Sequence, residues 1–159
     1  MTFRNRARII FLSLAVIAAG AIFMFHADRK KAVESLLHKA HAAIETENID
    51  KLAPLISLYY RDDLGMSYAA LCGSFEYIFS QFNDIAIDYR VTNIIIGKDT
   101  VTADIAVWGR GTWMGATKDI AGSENDPVPV SIFFKREFFR TKVIGSRWPR
   151  GTSGLPKFY

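Results

Sequence analysis

A single cysteine in 159 residues, Cys72, has no partner for an intramolecular disulfide, and it excludes a zinc ribbon or an iron–sulfur cluster held by cysteines. Stability must therefore come from packing. Proline is scarce at five residues, and charged residues are 23% of the chain against 50% apolar and 13% aromatic. That balance excludes intrinsic disorder and supplies a core. There is no internal repeat and no low-complexity tract. At this length there is room for one domain of ordinary size once a membrane segment is set aside, so multi-domain enzymes are excluded.

The net charge of +4 points to nucleic acid only until the charges are located. Arg4, Arg6, Arg8, Arg29, Lys30 and Lys31 are six of the twenty basic residues, and residues 32–159 hold 14 Lys and Arg against 15 Asp and Glu. The folded part has no basic excess, and no nucleic-acid partner is expected. Charge is polarised within it: residues 32–127 carry 7 basic and 14 acidic groups, residues 128–159 carry 7 and 1.

One long hydrophobic run stands out. Ile9 to Phe25 is 17 residues without a charge, about 26 Å as a helix, at the short end of a membrane span. A cleavable secretory signal would share the Arg-rich start, but the edge Phe23-Met24-Phe25-His26-Ala27-Asp28 places a bulky Phe25 three positions before a cut at Asp28. A cut near Ala19-Gly20-Ala21 is the alternative. No cysteine follows the run, which excludes a lipoprotein anchor. The segment 9–27 therefore reads as an uncleaved anchor into a lipid bilayer behind a basic tail, residues 1–8. Three basic residues flank each side, and the N-terminal amine adds a charge to the short side. Eight residues with three arginines are costly to translocate, whereas long domains cross largely regardless of charge. The domain is then expected to be extracytoplasmic, periplasmic if the source is bacterial, on a single-pass protein with a cytoplasmic N-terminus.

From Ala32 to Thr46, Val33, Leu36, Leu37, Ala40 and Ile44 recur at helical spacing. Asn48 caps a second, shorter helix carrying Ile49, Leu52, Leu55 and Ile56, which Pro54 should kink or split. After Tyr60-Arg61-Asp62-Asp63-Leu64-Gly65, Ser67 caps a third helix whose buried face is Leu71, Phe75, Ile78, Phe79 and Phe82. The period then changes to two. Ile85, Ile87, Tyr89 and Val91 make one strand, and after the turn Gly97-Lys98-Asp99, Val101, Ala103, Ile105 and Val107 make its hairpin partner, with Asp104 and Trp108 on the alternate face. Gly109, Gly111, Gly115 and residues 121–127 read as a long mobile connection. Val128 to Phe139 and Lys142 to Trp148 complete a sheet of about four strands, and residues 150–159 are a flexible tail. Helices first and antiparallel strands after give an α+β fold with helices on one face of the sheet.

This order, with Ala42-Ala43-Ile44-Glu45-Thr46-Glu47-Asn48-Ile49-Asp50-Lys51-Leu52, Tyr60 to Gly65 leading into a capped helix, and the hairpin Ile94 to Ala106, resembles the nuclear-transport-factor-2-like superfamily, also called SnoaL-like. The resemblance covers about residues 32–149 and implies a cone, a curved sheet wrapped round three helices. The superfamily includes isomerases, hydrolases, dehydratases, secretion-system scaffolds and non-catalytic proteins, so fold alone does not select a function. The layout of short tail, span and cone domain also resembles an inner-membrane component of a type IV secretion apparatus, although this chain is short for one.

A cone implies a mouth, and Tyr59, Tyr60, Asp104, Trp108 and Trp113 are the candidates for lining a pocket there. Enzymes of the superfamily use a carboxylate proton shuttle with a tyrosine or second acid, which makes Asp104 with Tyr59 or Tyr60 the catalytic candidate set. The alternative is that Asp104 simply faces water between Thr102 and Ala106. Arg61-Asp62-Asp63 reads as a capped turn before it reads as a cation site, and Cys72 as a small core residue. On the first helix Glu34, His38, His41 and Glu45 fall within about 60° of one another, a stripe that metals accept but that solvated helix faces also produce. The expectation is a non-catalytic, membrane-anchored binding or scaffold domain for a small apolar ligand or a protein partner, with no cofactor and with a homodimer as one arrangement. An enzyme using Asp104 is its rival.

Overall fold

The computed structural model describes residues 27–148. The apolar run at 9–25 and the tail at 150–159 lie outside them. Among the described residues no helix is long and apolar enough to cross a membrane.

Residues 27–45 are helical (α1). The spacing that marked its apolar stripe places Val33, Leu36 and Leu37 on one face, all buried, against Val101, Ala103, Ile105, Val128, Val130 and Phe134 of the sheet. Phe134 is fully buried, and burial of that kind stabilises by about 1.5–3 kcal/mol per large side chain. Glu47, in the left-handed region at φ 50°, turns the chain. Asn48 then accepts the Lys51 backbone N–H at 3.0 Å and starts α2, Ile49–Leu52. Pro54 splits this helix as expected, and Ala53–Leu55 continues as a 3₁₀ turn.

The connection after the turn runs along the open edge of the last strand. Ile56 bridges Val143 in parallel, and the backbone N–H groups of Ser57, Arg61 and Asp63 donate to the carbonyls of Val143, Ile144 and Ser146 at 2.8, 3.1 and 3.2 Å. This edge is thereby covered. The approach is close enough that a Cβ at Gly145 would stand 2.5 Å from the Arg61 carbonyl oxygen.

Ser67 caps α3, Tyr68–Gln81, by accepting the Ala70 N–H at 3.4 Å. The expectation of a buried stripe on this helix is corrected: none of its residues is buried. Leu71, Phe75 and Phe79 pack only part of their surface on a small cluster of Ala43, Leu52, Ile56 and Tyr60. Two short helical turns and the end of α1 do not offer enough surface to cover a 14-residue helix.

The sheet is antiparallel throughout, in the order β1 (Asn83–Ile96), β2 (Thr100–Trp113), β4 (Val128–Glu137), β5 (Arg140–Arg147), with β3 (Ala116–Ala121) also on β2. There are five strands and not four. β2 is long enough to pair with β4 over Thr100–Val107 and with β3 over Gly109–Trp113, so the expected mobile connection is half sheet. Gly109 and Gly111 read as breaks, yet both sit in β2 because neighbours crowd them. A Cβ at Gly109 would lie 3.3 Å from the Ala86 carbonyl oxygen, and one at Gly111 would lie 2.8 Å from Ile120 Cδ1. The β4 strand ends at Glu137, two residues earlier than the pattern implied, because Phe138 and Phe139 form the turn into β5 with φ of 46° and 65°.

Candidate functional site

The helix-facing side of the sheet holds Val101, Ala103 and Ile105, so the alternating residues Thr102, Asp104 and Trp108 belong to the opposite face. There Asp104 Oδ1 accepts the Ser131 hydroxyl at 2.7 Å, and Oδ2 accepts Asn93 Nδ2 at 3.4 Å. Ser131 is the register partner of Asp104 on β4, and Asp88 is the partner of Trp108 on β1. Asp104 is thus a strand-surface carboxylate with its own polar neighbours.

The two tyrosines part in a similar way. Tyr60 is buried, and its hydroxyl lies 2.8 Å from Ser146 Oγ, which also accepts the Trp148 indole N–H at 3.0 Å. Burial pushes the Tyr60 phenol up to about 12, with the nearby Asp62 and Asp63 charges adding to the effect and the Ser146 hydrogen bond opposing it. Tyr59, one residue earlier, is 84% exposed. Trp113 sits at the far end of β2 beneath the Lys118 ammonium, 3.8 Å from its ring centroid. The five residues expected to line one pocket are therefore distributed among a buried network, an exposed loop, the far sheet face and the β2–β3 hairpin. The sheet topology that separates them depends on pairings between distant segments.

Arg61-Asp62-Asp63 forms the turn that its composition implied. Asp62 Oδ1 accepts the N–H groups of Leu64 (3.0 Å) and Met66 (2.7 Å), and Asp63 Oδ1 accepts the Trp148 N–H at 3.3 Å. Asp62 Oδ2 is buried without a partner among the described residues.

The polar stripe of α1 faces β1. His41 Nε2 lies 2.7 Å from the Ile87 carbonyl oxygen, so this nitrogen carries the proton and donates, and Nδ1 lies 3.6 Å from Glu45 Oε2. The His41 ring meets Tyr89 edge-on at 5.7 Å and stacks on His38 at 6.5 Å. Burial raises the Tyr89 phenol, with the carboxylates of Asp88 and Glu34 adding to the effect. Glu34, His38, His41 and Glu45 do not converge on a common point. Among the described residues no three His, Cys, Asp or Glu groups are placed to hold a metal ion. His41 makes the helix-to-strand contact, while Glu34, His38 and Glu45 are exposed.

The periodicity of α3 did not reveal how incompletely that helix is covered. Phe75 and Phe79, ring centroids 5.9 Å apart, are half-buried, as are Leu71, Ile78 and Cys72. Of these, Leu71, Cys72, Phe75 and Phe79 pack against Ala43, Leu52, Ile56 and Tyr60, and Phe82, which follows the helix, crowds Gly111 together with Ile120. The two glycines embedded in a strand-like alternation were the available signal for this close packing. A second feature is an open groove of about 490 Å³ between Lys30 and Glu34 of α1 and residues 91–94 and Ile96 of β1. It follows the β1 irregularity between Val91 and Asn93.

No protein-family profile and no curated protein matches the chain. Solved structures do match. A Novosphingobium aromaticivorans protein described as a candidate scytalone dehydratase superposes with a TM-score of 0.66 at 11% identity, over 77% of this chain and 83% of its own. A Streptomyces avermitilis protein described as a candidate dehydratase of the NTF2-like family gives 0.62 at 11% identity, over 76% and 95%. Bd1075 of Bdellovibrio bacteriovorus gives 0.60 at 14% identity over 79% of this chain, which spans only 41% of Bd1075. At such identities the likeness establishes the fold alone: α+β, with three helices on an antiparallel sheet, consistent with the NTF2-like fold.

Proposed function

We propose that this protein is a non-catalytic binding domain, held at a membrane by residues 9–25 with the domain extracytoplasmic, and that its ligand is a small apolar molecule seated on the half-covered face of α3. The observation that carries this reading is the position of Asp104. Its carboxylate is on the sheet face away from the helices and is engaged by Ser131 and Asn93. A proton shuttle must reach a substrate's proton. Two structural neighbours are described as candidate dehydratases, but that activity does not transfer residue by residue. Tyr59 and Tyr60 do not accompany Asp104, and both nitrogens of His41 face acceptors. Phe75 and Phe79, by contrast, offer contiguous aromatic surface of the kind that lines ligand pockets.

Native mass spectrometry of the detergent-extracted full chain tests the reading and gives the subunit number in the same spectrum. The expected result is a chain carrying a small-molecule adduct that is reduced in Phe75→Glu. A chain without any adduct would overturn it.

A further inference from the structure

Two consecutive phenylalanines stand almost wholly in solvent: Phe138 is 94% exposed and Phe139 90%. They are the central residues of the two-residue β4–β5 hairpin turn, both left-handed, where Asn-Gly or Asp-Gly is the ordinary solution. Turn chemistry does not call for bulky residues here, and neither ring is used in the core. Backbone outliers that local structure does not require concentrate at functional tips.

Basic residues surround the turn. Lys135 and Arg136 lead into it, and Arg140 and Lys142 lead out. Thr100 pairs with Lys135, which brings the β1–β2 turn with Lys98 to the same end of the sheet, two strand spacings or about 10 Å away. The described start of α1 is there as well, since Arg29 Nη1 donates to the carbonyls of Gly97 (2.6 Å) and Lys98 (3.1 Å). Lys30 and Lys31 follow it. The acids at this end, Asp28, Glu34, Asp99 and Glu137, are outnumbered, and Glu137 accepts the Ser57 hydroxyl at 2.8 Å. Residue 27 is two positions after the uncharged run 9–25.

We infer that this end of the domain is a membrane-contact surface: Phe138 and Phe139 enter the headgroup region of the bilayer while the surrounding lysines and arginines bind acidic phospholipid. Apolar rings such as Phe bury at the headgroup–acyl boundary, long basic side chains reach from it to the headgroups, and clustered Lys and Arg are drawn to anionic leaflets. The inference rests on the reading of residues 9–25 as an anchor for the orientation of this end. It adds that the domain itself lies against the membrane, so that the β2–β3 turn with exposed Met114, at the opposite end of the sheet, points away.

The test uses the full chain with Cys72→Ser, an environment-sensitive fluorophore on Phe139→Cys or, as control, on Met114→Cys, and vesicles of phosphatidylcholine with or without phosphatidylglycerol. The expected result is blue-shifted emission at position 139, quenched by spin-labelled lipid and strongest with phosphatidylglycerol, while position 114 stays aqueous. Aqueous emission at 139 in both vesicles overturns the inference, as does a blue shift that lipid quenchers do not touch, which marks a protein contact. Flotation separates the two readings. A chain that resists carbonate extraction while position 139 is aqueous keeps the anchor and overturns the contact. One that floats only with acidic vesicles, and no longer floats as Phe138→Ser/Phe139→Ser, keeps the contact and overturns the anchor. A chain that never floats overturns both.

Discussion

The hydroxyl of Tyr60 lies 2.8 Å from Ser146 Oγ, joining residues 86 positions apart and fastening the connection after α2 to β5. Ser146 also receives the Trp148 indole N–H, so three side chains share one buried oxygen. Tyr60→Phe should cost about 1 kcal/mol in a urea titration at neutral pH, the ordinary net value of a buried hydrogen bond. The phenol is raised in the folded state to about 12 from its ordinary value of 10. Its contribution is therefore complete below pH 10 and is lost as the pH rises through 12. The unfolding midpoint should fall across that window, and fall less in Tyr60→Phe; an identical pH dependence in both proteins would contradict the burial of this ring.

Asp104 tests the binding reading against the enzymatic one. As a strand-surface group whose Ser131 partner can donate equally to an amide oxygen, it should tolerate Asp104→Asn within about 0.5 kcal/mol by thermal denaturation. Asp104→Ala strands the Ser131 hydroxyl and should cost about 1 kcal/mol. A loss of stability in Asp104→Asn well beyond that tolerance would contradict its place as a strand-surface group.

Two phenylalanines that look alike in the sequence should behave differently. Phe134 is fully buried between α1 and the sheet, and Phe134→Ala should destabilise by about 3–5 kcal/mol. Phe79 is half-covered on α3, so Phe79→Ala should cost less, about 1–2 kcal/mol. Equal losses in chemical denaturation would mean that α3 is covered in solution.

A reporter fused after Tyr159 should be active on the extracytoplasmic side, because Arg4, Arg6 and Arg8 retain the short tail. Replacing those three arginines by neutral residues should give mixed orientation, since basic residues then remain only on the other flank. Cytoplasmic activity of the unmodified fusion would reverse the assignment.

Much of the architecture is local in origin and was readable as such. The caps at Asn48 and Ser67 and the split at Pro54 arise from contacts within a few residues, and each stands in the structure. The alternation holds over Ile85–Tyr89 and Val101–Ile105 but breaks at Val91, which is exposed where the register shifts, and at Ala106, which is buried. The stripe Val33, Leu36 and Leu37 also announced its burial, because a helix that must hide one face shows it in its spacing. Coverage is different. Phe75 and Phe79 have the same periodic signature as a buried stripe, and what leaves them half-open is the short reach of α2 and the 3₁₀ turn, elements remote from that pattern. Gly109 and Gly111 looked like chain breaks because the Ala86 carbonyl and Ile120 that require them are distant in sequence and adjacent only across strands. Asp104 and Tyr60 were candidates for one pocket on residue type. Strand pairing turned Asp104 toward Ser131, and the segment laid along β5 turned Tyr60 toward Ser146, because a side chain's surroundings are set by whichever distant strand the backbone hydrogen bonds bring beside it.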